Sequence, residues 1–309
     1  MVGIDELNIA SRHKEKLKKV GIDKIEYLVG IDEEILADIL GCSVETAKKI
    51  IRQSWSVYKP AIYSADELLE MQEKEEKLET PLPTLNEYMG GGIAVGTLTE
   101  FYGLFGSGKT SMLMTQAVLT ISKGYDVLWI DTEKTFNMKR FLEIAKNREV
   151  DENNIKEKFH FILAPSSNEI ILLVSLHLTK YIKNFRESGH EIKALIVDSL
   201  TAPFRSDYSG ISELAQRQQM LNKILRTLLR LAEINKFAVF FSNQVVSVPD
   251  TFEKYFPVGG NVVGHATTNI FKLRKSGRKR ILTAVDVPFL PQIEIPFVIN
   301  EKGVEEIEA

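Results

Sequence analysis

The first 57 or so residues carry apolar positions at helical spacing, which predicts three short amphipathic helices. They cover Lys14 to Val20, Glu33 to Leu40 and Val44 to Trp55. Between the last two, Gly41 suits the C-terminal end of one helix and Ser43 suits the N-cap of the next. The pattern indicates a tight helix-hairpin-helix. The N–H groups at its helix N-terminus could hold a phosphate, but from these residues alone a plain helical turn without that role is favoured.

The stretch from Tyr58 to Thr80 differs, because charged residues dominate it and apolar anchors are few. Asp66 to Glu79 is predicted to be a solvated helix or tether. Pro81 and Pro83 then mark the entry to a second domain. We therefore divide the chain into a helical domain over 1–57, a linker over 58–80 and a core over 81–309.

Beyond the linker, short apolar strands alternate with helical stretches, which favours an α/β domain around a mostly parallel sheet. The predicted strands are Thr97 to Tyr102, Asp126 to Asp131, Ala194 to Asp198 and Phe237 to Ser242. The predicted helices are Lys109 to Ser122, Met138 to Asn147 and one whose apolar positions run from Met220 to Ala232.

Composition sets limits on the class of protein. The 309 residues are 44% hydrophobic and 26% charged, which is typical of a globular protein with a sizeable core. No apolar run is long enough to span a membrane, and the N-terminus lacks a secretory pattern. Cys42 is the only cysteine, which excludes an internal disulfide and a cysteine-based metal cluster and favours a reducing, cytoplasmic setting.

Charge gives one local signal. The net charge of -3 does not indicate a nucleic-acid binder, but local patches decide such binding. Lys272 to Arg280 holds six cations and no acid. A solvated hairpin between two strands and a phosphate contact are equally good interpretations of this patch.

The segment Gly103 to Thr110 reads Gly-Leu-Phe-Gly-Ser-Gly-Lys-Thr, a complete phosphate-binding loop between a predicted strand and a predicted helix. Its glycines let the backbone wrap phosphates, and the helix N-terminus adds positive partial charge. We expect Lys109 to reach the β- and γ-phosphates of ATP and Thr110 to bind Mg²⁺. The predicted ATP-binding residues here are Gly103, Leu104, Phe105, Gly106, Ser107, Gly108, Lys109, Thr110 and Ser111.

Hydrolysis of ATP needs a carboxylate near the metal and a group that activates water. Asp198, at the end of an apolar strand, suits the metal role through a water molecule. Glu133 follows the neighbouring strand and suits the general base, its alternative being a solvated loop acid. Gln244 suits a γ-phosphate contact, although a plain loop amide would occupy the same place. Glu133, Lys109 and Gln244 are the predicted catalytic residues.

With these residues in place, the chain resembles archaeal RadA recombinases, which are RecA-fold strand-exchange proteins. The resemblance runs from Ala61 to Glu305 and more weakly through the N-terminal domain. Its blocks are Asp131-Thr-Glu133, Val197-Asp-Ser-Leu200, Phe204-Arg-Ser-Asp-Tyr208, Leu214 to Lys223, Asn243-Gln-Val245, Gly259 to His265 and Asp286 to Pro291.

The resemblance implies a RecA-like P-loop ATPase core with a mostly parallel twisted sheet, and a small all-α helix-hairpin-helix N-terminal domain. It implies ATP-dependent filaments on single-stranded DNA, DNA-stimulated ATP hydrolysis and homologous strand exchange. Expected partners are single- and double-stranded DNA, further copies of the chain and other recombination proteins, in the nucleoid and not at a membrane. Arg140 would lie against the adenine, while Asp286 and Pro288 would cap ATP from the adjacent subunit.

The resemblance also assigns DNA-binding and oligomerisation residues. The expected DNA-binding residues of two loops are Arg205, Tyr208 and Gly210, and then Val246, Ser247, Val248, Gly259, Gly260 and Asn261. A Phe-x-x-Ala hook between subunits corresponds to Ile62-Tyr-Ser-Ala65, so Ile62 and Ala65 are the expected oligomerisation residues.

Several positions depart from the family pattern. Ile62 replaces the aromatic residue of the hook, Ile211 an arginine, Lys134 a glycine and Phe289 a histidine. The segment Ala10 to His13 lacks hairpin glycines, and the second DNA loop lacks an arginine. These departures favour an alternative, a RadA-like accessory ATPase without strand exchange of its own. A third class, a hexameric RecA-fold ATPase such as a helicase, is disfavoured by the hook and the helix-hairpin-helix.

Overall fold

The computed structural model describes residues 2–208, 210–247 and 255–308. Two compact units divide the chain: one holds Met1–Glu75 and Ile171–Gly189, the other Glu76–Ile170 and His190–Ala309. The division into a domain over 1–57, a linker over 58–80 and a core over 81–309 stays a prediction.

The α-helices of the first part of the chain are α1 (Ser11–Lys19), α2 (Glu33–Leu40), α3 (Val44–Val57), α4 (Ala65–Glu73), α5 (Pro83–Tyr88), α6 (Lys109–Ser122) and α7 (Met138–Asn147). They are followed by α8 (Glu152–Lys158), α9 (Ser167–Leu172), α10 (Leu178–Glu187), α11 (Ala202–Asp207), α12 (Leu214–Asn235) and α13 (Gly260–Ala266). In the described part of the chain, none of the helices is long and apolar enough to cross a membrane.

The strands are β1 (Lys77–Leu78), β2 (Ile93–Ala94), β3 (Leu98–Tyr102), β4 (Asp126–Asp131), β5 (Phe159–Leu163), β6 (Ile192–Asp198) and β7 (Ala238–Asn243). They are followed by β8 (Val245–Ser247), β9 (Tyr255–Pro257), β10 (Asn269–Ser276), β11 (Lys279–Asp286), β12 (Glu294–Asn300) and β13 (Gly303–Glu306).

The helical hairpin of the first unit has the ends that its sequence predicts. Gly41 closes α2 in the left-handed region with φ 58°. The Ser43 hydroxyl accepts the Thr46 N–H at 3.3 Å and caps α3. Both predicted caps are confirmed. Glycine adopts the left-handed conformation easily, and the serine hydroxyl accepts an N–H that the start of a helix leaves without a partner.

The charged linker is only partly the predicted element. A helix does form there, and α4 buries no residue, as expected for a solvated helix. It ends at Glu73, however, and Lys77–Leu78 pairs as β1 with β2, so the prediction of one helix or tether up to Glu79 was wrong. Leu78 is buried and ties this end of the segment to the core.

The large sheet of the second unit has the order β13-β12-β11-β10-β3-β7-β6-β4-β5 among the described residues. The strands from β10 to β5 run parallel to their neighbours, and β11 to β13 add an antiparallel extension. The predicted mostly parallel sheet is confirmed. β5, β12 and β13 were not predicted.

Burial of the central strands explains their apolar sequence. Every residue of β3, β4, β6 and β7 is buried, because helices cover both faces of a parallel sheet. Trp129 and Phe240 lie at the centre of this core. Apart from Glu100 on β3, the polar residues of these strands lie at or next to the strand ends. The carboxyl ends of these four strands meet at one edge, which is where α/β proteins bind their ligands.

Candidate nucleotide site

The phosphate-binding loop connects β3 to α6, as predicted. Gly108 precedes the helix at φ 105°, a conformation that residues with a Cβ rarely adopt. A Cβ on Gly103 would lie 2.2 Å from the Leu273 carbonyl oxygen, so the backbones can approach only because this residue is glycine. The N-terminus of α6 points its free N–H groups and the positive end of its dipole at this loop. The local fold suits an anion.

Lys109 bends back over the loop. Its Nζ donates to the carbonyl oxygens of Gly103 at 2.8 Å and Leu104 at 3.2 Å. Burial lowers the pKa of Lys109, while the negative charges of Asp198 and Glu133 oppose this change. The ammonium group thus lies between the loop and the carboxylates of Asp198 and Glu133. A phosphate bound there could replace the two carbonyl oxygens as its partner.

Thr110 and Asp198 form the candidate metal site. Thr110 Oγ1 donates to Asp198 Oδ2 at 2.8 Å, and Ser242 Oγ donates to Asp198 Oδ1. Burial raises the pKa of Asp198, and the two hydrogen bonds oppose the increase. A hydroxyl beside a carboxylate fits Mg²⁺, which takes oxygen ligands and keeps several of its waters.

Glu133 and Gln244 meet across the cavity from the loop. Gln244 Nε2 donates to Glu133 Oε1 at 2.8 Å. Burial, followed by the charge of Asp198, raises the pKa of Glu133, while Lys109 opposes the increase. A raised pKa makes a carboxylate a stronger base for a water molecule. The two predicted residues are therefore brought together in a geometry that can hold a water beside a phosphate.

A tight turn after β4 aims Glu133. The Asp131 carboxylate accepts the N–H groups of Glu133 at 3.0 Å, Lys134 at 2.9 Å and Phe136 at 3.0 Å. Lys134 has φ 56°, in the left-handed region. This explains why glycine suits the position, because a Cβ disfavours that conformation.

Arg280 enters the site from the basic patch. The β10–β11 hairpin carries the patch, and one of its cations, Arg280, lines the nucleotide cavity. Arg280 Nε and Ser107 Oγ are buried without a hydrogen-bond partner among the described residues. Two polar atoms left without partners beside a phosphate-binding loop fit a nucleotide phosphate. The run of cations from Lys272 to Arg280 was visible in the sequence. From the sequence alone, a solvated hairpin and a phosphate contact were equally good interpretations of it.

The cavity has a volume of about 670 Å³. Its lining contains the predicted residues Gly103, Leu104, Phe105, Gly106, Gly108, Lys109, Thr110, Ser111, Glu133, Asp198 and Gln244. Residues not predicted for ATP also line it: Thr135, Val245, Arg280 and Ile299. Val245 and Ile299 add an apolar wall, for which the sequence analysis had assigned no residue.

Three other predicted ATP contacts lie elsewhere. The Arg140 guanidinium binds the Glu143 carboxylate and the Asn300 carbonyl oxygen. Asp286 ends β11, and both it and Pro288 are exposed. Contact of Arg140 with adenine, and capping of ATP from an adjacent subunit by Asp286 and Pro288, stay predictions.

The predicted DNA-binding residues extend from the same edge of the sheet. Arg205 is exposed on α11, Tyr208 follows it, and the Gly210 N–H donates to the Glu213 carboxylate at 3.1 Å. Val246 and Ser247 lie on β8, which pairs with β9. Gly259, Gly260 and Asn261 begin α13. Val248 lies outside the described residues.

A second cavity adjoins the first through shared residues. It has a volume of about 480 Å³, and Glu133, Gln244 and Arg205 all line it. Glu133 and Gln244 line the nucleotide cavity as well. The predicted general base Glu133, the predicted γ-phosphate contact Gln244 and the predicted DNA contact Arg205 therefore share one surface.

Comparison with known families identifies the chain. Its sequence matches the Rad51 family model over residues 73–307, which is 235 of 309 residues. The chain belongs to the Rad51 family. Rad51 family proteins act in recombination and repair, bind ATP with Mg²⁺ and act on DNA as filament-forming ATPases. The RecA-like α/β core expected from the sequence is therefore shown, and the nucleotide cavity lies in the matched region.

Proposed function

We propose that this chain is a RadA-like recombinase that binds ATP and Mg²⁺, forms filaments on single-stranded DNA and exchanges homologous strands. One observation carries the proposal: the hydrogen-bonded pair of Glu133 and Gln244 lines both the nucleotide cavity and the cavity that contains Arg205. A change at the γ-phosphate can thus reach the DNA loops without passing through the core.

The roles of the site residues follow from their positions. Lys109 and Arg280 neutralise phosphate charge, and Glu133 holds and deprotonates the attacking water. Thr110 and Asp198 would hold Mg²⁺, which would offset the negative charge on the phosphate groups. Gln244 distinguishes ATP from ADP, because its amide can bind Glu133, water or the γ-phosphate.

Filament formation rests on the linker in this proposal. Ile62 is 95% exposed, and α4 begins three residues later at Ala65. An extended apolar side chain followed by a capped helix suits docking into a pocket of the next copy. The helical hairpin of the first unit would bind duplex DNA, and a protein acting on chromosomal DNA would reside at the nucleoid.

A second candidate, an accessory ATPase without strand exchange, has specific support. Lys134 occupies a left-handed position beside Glu133, and fully exposed Phe289 stands where the family pattern has a histidine. Both changes fall near residues assigned to ATP hydrolysis or capping. They favour altered turnover but leave the phosphate loop complete.

Strand exchange with purified protein separates the two candidates. Protein, ATP and Mg²⁺ are incubated with single-stranded circles and homologous linear duplex, and joint molecules and ATP turnover are measured. The recombinase yields joint molecules, and single-stranded DNA stimulates its turnover. Lys109→Ala, the matched control, loses both. Normal ATP binding without joint molecules would identify the accessory ATPase, and turnover that DNA leaves unchanged would exclude a recombinase.

A further inference from the structure

A cluster of one aspartate and two histidines lies at the opposite edge of the sheet from the candidate nucleotide site. Asp126 is the first residue of β4, whose last residue is Asp131 beside the nucleotide site. His160 is the second residue of β5, and His190 lies two residues before β6. Five residues of extended strand separate the two ends by about 17 Å, so this cluster plays no part in nucleotide binding.

The three side chains converge on one point. Asp126 Oδ1 lies 2.7 Å from His160 Nε2 and 2.8 Å from His190 Nδ1. The three candidate ligand atoms all lie within 4.8 Å of one another. The Asp126 side chain is 2% exposed, while those of His160 and His190 are 19% and 27% exposed. A buried carboxylate thus sits behind two imidazoles that solvent can reach.

We propose that Asp126, His160 and His190 bind one divalent ion of the Zn²⁺ class. Two imidazole nitrogens and one carboxylate oxygen suit Zn²⁺, whereas Mg²⁺ and Ca²⁺ prefer oxygen ligands throughout. A tetrahedral Zn²⁺ with bonds of about 2.0–2.2 Å holds its ligand atoms about 3.3 Å apart. The imidazoles need to withdraw from Oδ1 by about half an ångström, a small movement for side chains at the rim.

The surroundings of Asp126 both support and oppose the ion. The Glu191 N–H donates to Asp126 Oδ2 at 3.1 Å, which orients the carboxylate and leaves Oδ1 to the histidines. Lys158 Nζ lies 4.0 Å from Oδ2 and competes with a cation for the same charge. The ion has the advantage of also engaging two imidazoles, which a lysine cannot do.

The fold gives the site a consequence. β5 is the outermost strand at its end of the large sheet among the described residues, and β4 joins it to β6. One ion held by Asp126, His160 and His190 would connect β4, β5 and the entry to β6. Asp126, His160 and His190 belong to neither the nucleotide nor the DNA surface, so such an ion would bind independently of the proposed function.

Metal binding by the full chain provides the test. Nucleotide-free protein is stripped with a chelator and titrated with Zn²⁺ by calorimetry in excess Mg²⁺, which occupies oxygen-ligand sites. We expect one Zn²⁺ per chain and a rise in Tm on loading. His160→Ala and His190→Ala should each abolish this stoichiometric uptake, whereas His177→Ala, a control at a histidine outside the cluster, should retain it.

X-ray absorption by the Zn²⁺-loaded wild type keeps the test valid if a variant does not fold. Two imidazole ligands with one carboxylate support the site. Absence of stoichiometric uptake, uptake retained in either His160→Ala or His190→Ala, or a spectrum without two imidazoles would overturn it. The cluster would then be a hydrogen-bonded clamp only.

Discussion

Glu100 carries a buried carboxyl three residues before the phosphate loop begins at Gly103. It lies on β3, is fully buried, and accepts a hydrogen bond from Asn243 Nδ2 at 2.5 Å. Its second oxygen has no hydrogen-bond partner among the described residues. Burial raises the pKa of Glu100 to about 7, and the Asn243 bond opposes the increase only in part. This carboxyl therefore changes charge near neutral pH.

Because the pKa of Glu100 is raised, the free energy of unfolding should depend on pH, and Glu100→Gln should remove that dependence. The folded chain binds the Glu100 proton more tightly than the unfolded chain does. The stabilisation from this proton is therefore fully present below about pH 4.5 and is lost as pH rises through about 7. At 1.36 kcal/mol per pKa unit, the loss approaches about 3 kcal/mol. Urea unfolding at pH 5, 6.5 and 8 measures this. The free energy of unfolding of Glu100→Gln should increase relative to that of the wild type as pH increases.

A surface charge change is the control for Glu100. Glu157→Gln removes one negative charge from an exposed position on α8 and should follow the wild type at every pH. If the wild type and Glu100→Gln lose stability in parallel between pH 5 and 8, the carboxyl is charged throughout and the assigned pKa is wrong.

At the scale of elements, the sequence predicts best where a local signal marks the ends. The limits of α6, β4 and α7 agree with the prediction, because the glycine loop precedes α6, β4 is buried throughout and the Asn137 side chain caps α7. β5 was missed because it is an edge strand in which Phe161 and Leu163 are partly exposed, and it follows the charged helix α8 directly. Its pairing with β4 depends on tertiary contacts that no local pattern contains.

The linker allows a prediction about one element. Ile62→Phe should tighten self-association, because an aromatic ring buries more apolar area than isoleucine when it docks. The gain is roughly 1 kcal/mol, or about fivefold in Kd. Sedimentation velocity over a range of concentrations measures it. The capping box between Ser64 and Glu67 keeps α4 unchanged, so the effect belongs to the docked side chain.

Tyr58→Phe is the control that tests which residues of the linker dock on the next copy. Tyr58-Lys-Pro-Ala61 matches the Phe-x-x-Ala pattern less well, four residues before Ile62, and Tyr58→Phe changes its aromatic residue. This change should leave self-association unchanged. If Tyr58→Phe shifts the association and Ile62→Phe does not, the docking segment begins four residues earlier than assigned here.

At the scale of the whole molecule, parallel topology explains why the candidate site could be anticipated. Glu133 and Gln244 follow β4 and β7, Asp198 ends β6, and parallel strands end at a common edge. Arg280 comes instead from the antiparallel extension, whose order next to β3 depends on a long-range pairing. The sequence therefore predicted the residues at strand ends and left open the one that arrives from the added hairpin.

The surface shared by the two cavities predicts that Gln244→Ala uncouples DNA from ATP turnover. Gln244 binds Glu133 and lines both cavities, whereas the phosphate loop and Lys109 are held by contacts of their own. ATP affinity should remain within about threefold of the wild type, because one neutral hydrogen bond contributes only about 0.5–1.5 kcal/mol. Stimulation of kcat by single-stranded DNA should be lost.

Two matched variants locate the coupling. Ser206→Ala changes the second cavity without touching the Glu133–Gln244 pair and should retain DNA stimulation. Glu133→Gln should bind ATP and fail to hydrolyse it with or without DNA, because the base itself is absent. Turnover is measured for each variant across a DNA titration. If Gln244→Ala lowers the basal and the DNA-stimulated rates by the same factor, Gln244 serves hydrolysis alone. The signal to the DNA loops must then travel through the strands themselves.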